Sequence, residues 1–163
     1  MSDEIKLTKT ILPQNIQALI GEIGEKQVLL RLAIITHGTS WEVFSNLGES
    51  GNDVLLFNSV LDKRIRIEVK TRQKLFTTGK SHRRAKYILT DKEYNACDFL
   101  VGYFIDNNGF YIVPKSDLRP VKANGKRYWC ITLPPVRQGD LHLGDNRYLD
   151  AWSTLHPDLK QGW

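Results

Sequence analysis

The chain has 163 residues, 41% of them apolar and 25% charged, with a net charge of +5. This length favours one domain with a sizeable core, and the apolar share excludes a disordered chain. Two cysteines, Cys97 and Cys130, exclude a disulfide scaffold, and no run approaches the ~18 consecutive apolar residues of a membrane span. The N-terminus Met1-Ser2-Asp3-Glu4 lacks the layout of a signal peptide. The expectation is a soluble, cytoplasmic protein with reduced thiols.

Taken in chain order, residues 14 to 36 carry a helical pattern. Ile16, Leu19, Ile20, Ile23, Gln27, Leu30 and Ile34 share one face at 3.6-residue spacing. From Val28 to Ile35 only Arg31 is polar, which predicts burial nearly all round, and His37-Gly38 reads as the stop. Strands are predicted at Trp41–Ser45, Asp53–Phe57 and Arg64–Lys70. In the third, Ile65, Ile67 and Val69 point one way and Arg66, Glu68 and Lys70 the other. Residues 71 to 89 are basic and read as a loop or flap. Thr90-Asp91-Lys92-Glu93 has the form of a capping box opening a short helix. Asp98–Ile105, the turn Asp106-Asn107-Asn108-Gly109 and Phe110–Val113 read as a hairpin. Tyr87, Tyr94, Tyr103 and Tyr111 are expected in the core, as is Cys97. After Pro120 the pattern suggests an irregular extension, docked by Trp129, Tyr148, Trp152 and Trp163. The order of elements is that of a small α/β or α+β protein.

The positive charge is concentrated. Between residues 63 and 86 lie Lys63, Arg64, Arg66, Lys70, Arg72, Lys74, Lys80, Arg83, Arg84 and Lys86, with Glu68 the one acid among them. A solvated basic face has this look, and so does a nucleic-acid-binding surface.

Glu68-Val69-Lys70 carries the chemistry. Residues two apart on a strand share a face, so Glu68 and Lys70 stand side by side. If the second and third strands form an antiparallel hairpin, counting inward from the turn pairs Phe57 with Arg64 and brings Asp53 opposite Glu68. Two carboxylates that close repel, and a hard divalent cation relieves them.

Asp53, then Glu68-Val69-Lys70 on the next strand, preceded by a helix carrying Gly21-Glu22-Ile23-Gly24-Glu25, resembles the PD-(D/E)XK nuclease superfamily. The spacing is most like that of archaeal-type Holliday junction resolvases and small site-specific endonucleases, over residues 14 to 115. The pattern departs in having Asn52 where the family name has proline.

The resemblance implies a restriction-endonuclease-like core (about 14–115), with a mixed central sheet flanked by helices. The irregular extension, 120–163, packs on that core within a single nuclease domain. It implies Glu25, Asp53, Glu68 and Lys70 as catalytic residues, with Glu25, Asp53 and Glu68 holding Mg2+ or Mn2+. Glu22, one turn away, is an alternative to Glu25. Lys74, Lys80, His82, Arg83, Arg84 and Lys86, with Gln73, are the candidate DNA contacts, which add affinity without sequence information.

The implied activity is metal-dependent hydrolysis of DNA phosphodiesters on double-stranded or branched DNA, as a site-specific homing or restriction-type endonuclease. The alternatives are a junction resolvase and a non-catalytic DNA-binding module of the same fold. Paired cuts on opposed strands lead us to expect a homodimer or higher symmetric oligomer, with Val28–Ile35 a candidate interface. His37, His82, His142 and His156 have no zinc-like spacing with the cysteines, and the chain has no phosphate-binding loop of the nucleotide-dependent enzymes.

Overall fold

The structure, a computed structural model, describes residues 12–45, 52–73, 85–133 and 146–160. Helix α1 (Gln14–Thr36) leads into β1 (Trp41–Ser45), β2 (Val54–Asn58) and β3 (Lys63–Arg72). Then come β4 (Ala85–Thr90), helix α2 (Asp91–Ala96), β5 (Phe99–Phe104), β6 (Gly109–Pro114), β7 (Arg119–Ala123) and β8 (Lys126–Leu133). Turns of 3-10 helix follow at Asn146–Tyr148 and Trp152–Thr154.

The strands make two sheets, a five-stranded one in the order β1-β2-β3-β5-β6 and a three-stranded one in the order β4-β8-β7. The first is mixed: β3 runs parallel to β5 and its other pairings are antiparallel. A parallel pair needs a crossover, and the chain makes it through β4 and α2.

Strand alternation divides the interior into two layers. Val54, Leu56, Ile65, Ile67, Val69, Val101, Tyr103, Phe110 and Ile112 pack on one face of the large sheet against Val28, Leu32 and Ile35 of α1 and against Trp152, Leu155 and Leu159. On the opposite face, Leu100, Phe104, Tyr111 and Val113 meet Ala85, Tyr87, Leu89 and Leu133 of the small sheet. The large sheet is therefore covered by helix on one side and by sheet on the other. Cys97 is buried, and burial pushes its thiol up to about 11, as befits a core residue.

Helix α1 has the expected bounds but the opposite orientation. Gly24, Val28, Leu32, Ile35 and Thr36 are its buried residues. The predicted core face points outward: Ile16, Leu19, Ile23, Leu30 and Ile34 are 39–55% exposed. The stretch Val28–Ile35 is accordingly not buried all round. Gly24 explains the choice of face, because a Cβ there would collide with the Thr71 side chain. Only a hydrogen at that position lets α1 lie this close to β3.

Two stretches are more regular than the sequence suggested. Residues 85–90, all but Thr90 inside the predicted loop, form β4. Residues 119–133 form a hairpin in place of an irregular extension. Asn124 (φ 51°) and Gly125 (φ 73°) make its two-residue turn between the paired Ala123 and Lys126. The expected aromatic docking of the tail is seen at Tyr148 and Trp152, both buried, and at Trp129, which stacks on Tyr94 at 3.8 Å; Trp163 lies outside the described residues. Among the described residues, no helix is long and apolar enough to cross a membrane.

Gly102 on β5 is a close approach between the two sheets. A Cβ built there would lie 2.8 Å from the buried Tyr87 ring. Gly102→Ala is expected to cost about 1–3 kcal/mol through overpacking, read as a lower denaturant midpoint with an unchanged m-value.

Candidate active site

The β2–β3 register sets the site. Phe57 pairs with Arg64 and Val54 with Ile67, the register expected from the turn. One step further, the Asp53 amide donates to the Ile67 carbonyl at 2.9 Å. The Asp53 Oδ2 in turn accepts the Val69 amide at 2.7 Å. This fixes the Asp53 carboxylate beside the strand that carries Glu68 and Lys70. Glu25 reaches the same place from α1. Together Glu25, Asp53, Glu68 and Lys70 line a cleft of about 840 Å3. Gln73 borders it as well, whereas Glu22 is exposed and absent from the lining. Of the two helix acids, Glu25 is the one brought to the cleft.

Glu93 is the residue that sequence reasoning missed. It caps α2 as predicted: its amide donates to Thr90 Oγ1 and its Oε2 accepts the Thr90 amide at 2.7 Å. Its other oxygen, Oε1, accepts from Lys70 Nζ at 2.7 Å. The Lys70 ammonium also meets Glu68 Oε1 at 3.0 Å. The lysine thus sits in a fork of two carboxylates, one of them immobilised by a helix cap. A capping box is explained by local structure alone, so nothing in the sequence marks its carboxylate as facing a cleft formed by distant strands.

Four carboxylates surround this one ammonium, and their proton affinities record the crowding. Glu68 is 4% exposed; burial first, and the Asp53 charge second, push it up to about 8 despite Lys70. Burial also raises Asp53, against the Val69 amide and Lys70. Glu25 is raised by burial and then by Asp53 and Glu22. Burial disfavours the Lys70 charge, but Glu93 and Glu68 outweigh it and hold its pKa above the usual lysine value. Glu93 goes the other way: burial is outweighed by the Lys70 hydrogen bond and the Thr90 amide, leaving it below the usual carboxylate range.

Among the described residues, no three His, Cys, Asp or Glu side chains form a group that could hold a metal ion; Asp53 accepts the Val69 amide and Glu68 meets Lys70. The donor chemistry nevertheless fits a hard cation. It consists of carboxylate oxygens, short of positive charge, two of them on facing strands.

The basic segment is only partly accounted for. Lys74, Lys80, His82, Arg83 and Arg84 lie outside the described residues. Lys86 lies on β4, and its carbonyl accepts from Arg72 Nε at 2.9 Å, tying β4 to the end of β3.

No protein-family model matches the chain, and no curated protein matches it by sequence. Solved structures do. The bacterial homing endonuclease I-Ssp6803I aligns over 87% of this chain and 92% of its own, with a TM-score of 0.57 and 19% identity. The Holliday junction resolvase Hjc of Archaeoglobus fulgidus aligns over 68% of this chain and 82% of its own, with a TM-score of 0.48 and 15% identity. At such identity the likeness to the homing endonuclease is one of fold. This chain has the restriction-endonuclease-like fold on which PD-(D/E)XK nucleases are built.

Proposed function

We propose that the protein is a divalent-metal-dependent endodeoxyribonuclease that cuts duplex DNA at specific sites. One observation carries the reading: Asp53, Glu68 and Lys70 adjoin across the β2–β3 pairing, with Glu25 of α1 lining the same cleft. Asp53 and Glu68, with Glu25 beside them, would hold Mg2+ or Mn2+. When bound, such a cation supplies Lewis-acid polarisation of the scissile phosphate and a more acidic water.

The remaining roles belong to the chain. Lys70, steadied by Glu93 and Glu68, offers fixed N–H donors to the negative charge that develops on the phosphate. The basic residues Lys74, Lys80, His82, Arg83, Arg84 and Lys86, with Gln73 beside the cleft, would hold the DNA backbone.

Supercoiled plasmid, a synthetic four-way junction and Mg2+ test this directly. Cutting of duplex at defined loci supports the reading. Cutting of the junction alone replaces it with a resolvase, and binding without cutting leaves a DNA-binding module.

Duplex cutting needs two active sites on opposed strands, so we place two copies in the working unit. The outward stripe of α1 supports the contact. Its exposed apolar residues Ile16, Leu19, Ile23, Leu30 and Ile34 follow one another at steps of three, four, seven and four, a spacing compatible with a helix-pairing seam. Leu30→Glu is expected to weaken self-association about 100-fold, because a buried leucine contributes ~1.5–3 kcal/mol and a buried charge costs more. Sedimentation velocity reads this as a shift to the single-chain mass.

A further inference from the structure

We propose that the open face of the three-stranded sheet β4-β8-β7 is the surface that enters the DNA major groove and reads base edges. The inference rests on the nuclease reading and extends it to a stated surface. Strand pairing defines the face. Lys86 lies opposite Thr132, Ile88 opposite Cys130 and Thr90 opposite Tyr128 on the β4 side. On the β7 side, Arg119 lies opposite Cys130, Val121 opposite Tyr128 and Ala123 opposite Lys126. The alternate residues Tyr87, Leu89 and Leu133 turn inward to the core. The outward set lines a shallow groove of about 230 Å3 formed by Lys86, Ile88, Val121, Ala123, Tyr128 and Cys130.

The chemistry of this face suits a polyanion with a patterned floor. From Leu118 to Leu133 the chain holds no acid, and Arg119 and Lys126 fall in the outward set, whereas Lys122 and Arg127 fall in the alternate set and Arg127 is held by Asp91. Every residue of β7 is exposed. Arg119, Lys86 and Lys126 supply cations at the borders. Thr90, Thr132 and Tyr128 supply hydroxyls that donate or accept, and Val121 and Ala123 offer methyl groups of the kind that contact thymine. The major groove, about 12 Å wide, admits a two-stranded β-ribbon, and the β7–β8 hairpin at the edge of this sheet is one.

The face is also fixed relative to the cleft. Asp91 takes Arg127 in two hydrogen bonds of 2.9 Å and Trp129 Nε1 at 2.8 Å. Asp91 and Glu93 begin the same short helix, so α2 braces the hairpin on one side and Lys70 on the other. A duplex seated on the hairpin would be held in register with the cutting site by rigid elements, as site-specific hydrolysis requires.

The test uses the full chain and a labelled 40-bp duplex of mixed sequence, with binding measured without divalent cation at several salt concentrations. In the double variant Arg119→Gln/Lys126→Gln, the slope of log K against log salt is expected to fall by about two, one for each phosphate contact removed. The double variant Lys63→Gln/Arg64→Gln, at the β2–β3 turn, is expected to keep the wild-type slope. Selection from a randomised duplex pool is expected to give altered preference at one or two base pairs with Tyr128→Phe or Val121→Ala. An unchanged slope in the hairpin variant, or an equal fall in the β2–β3 variant, overturns the assignment. So does dissociation of an oligomer by the hairpin variant, which would make the face a contact between copies. Failure of the wild type to bind any duplex would overturn the nuclease reading itself and is visible before any variant is made. Arg119 and Lys126 are exposed, so unchanged thermal midpoints verify that the variants fold.

Discussion

Lys70→Ala is expected to slow DNA cleavage about 10^2- to 10^3-fold while duplex binding stays within about twofold. The magnitude is that of removing one fixed donor from the position where charge develops in the transition state. Binding is spared because Lys70 is 25% exposed and already engaged by Glu68 and Glu93, so it adds little to the field felt by an approaching duplex. Asp53→Asn is expected to exceed 10^3-fold, since on the proposed reading it removes a cation ligand and several kcal/mol of Lewis-acid assistance with it.

Glu93 offers a graded control. Glu93→Gln keeps an oxygen that accepts from Lys70 and is expected to cost less than Glu93→Ala, which frees the ammonium on one side and misplaces it. Misplacement of a catalytic group by ~1 Å costs up to ~10^2-fold. Single-turnover rates on pre-bound duplex, with binding measured separately, distinguish these outcomes. A Lys70→Ala enzyme that cuts at the wild-type rate removes Lys70 from the catalytic machinery, and equal activity of the two Glu93 variants removes the positioning role.

The sequence displayed the β-strands of the site more clearly than the helix beside it. On β3, Ile65, Ile67 and Val69 alternate with Arg66, Glu68 and Lys70. Such a pattern leaves no choice of face, and the short turn to β2 leaves little choice of register. Helix α1 has two apolar stripes. Periodicity finds both but cannot say which is the core. The stripe through Ile16, Ile23 and Leu30 is more complete, yet it faces outward.

A signal that could have decided was present. Residues 25, 28, 32 and 35 share one helical face, so a Glu25 that reaches the β2–β3 carboxylates carries Val28, Leu32 and Ile35 into the core with it. Gly24, the close-approach residue, lies beside that face. The β7–β8 hairpin was hidden by Pro120 and by its charge, since an exposed basic edge has no apolar alternation to display. Its one local sign was Asn124-Gly125, a pair that favours two-residue hairpin turns. Glu93 was hidden for a different reason: a single carboxylate serves both the helix cap and Lys70, and the first role is sufficient to explain it.

The metal-free protein is expected to lose stability as pH rises from about 5 to 8, and Glu68→Gln is expected to remove about one proton's worth of that slope. The sign follows from the folded protein holding a proton that the unfolded chain has released. Glu68 titrates near 8 when folded and near its ordinary 4.5 when unfolded. Its protonated, hydrogen-bonding form therefore stabilises the fold fully below about 4.5, and the contribution is lost as pH climbs through 8. One proton corresponds to at most about 1.4 kcal/mol per pH unit. Asp53 and Glu25, also raised, act in the same direction. Asp98 and Glu93 are lowered, so their contributions are lost only on acidification, below the window that matters. Lys70 keeps its charge throughout.

A divalent cation should reverse the trend, because it needs the same oxygens deprotonated. Stabilisation by Mg2+ follows RT ln(1 + [M]/Kd), and each pH unit below 8 raises the apparent Kd by up to about tenfold through proton competition at Glu68. Urea midpoints at pH 5, 6, 7 and 8, with chelator and with Mg2+, read both effects without any DNA. A flat wild-type profile in chelator, or a Glu68→Gln profile as steep as the wild type, would show that the buried carboxylate does not hold its proton. In that case the crowding of Glu25, Asp53, Glu68 and Glu93 around Lys70 would no longer argue for a cation in the cleft.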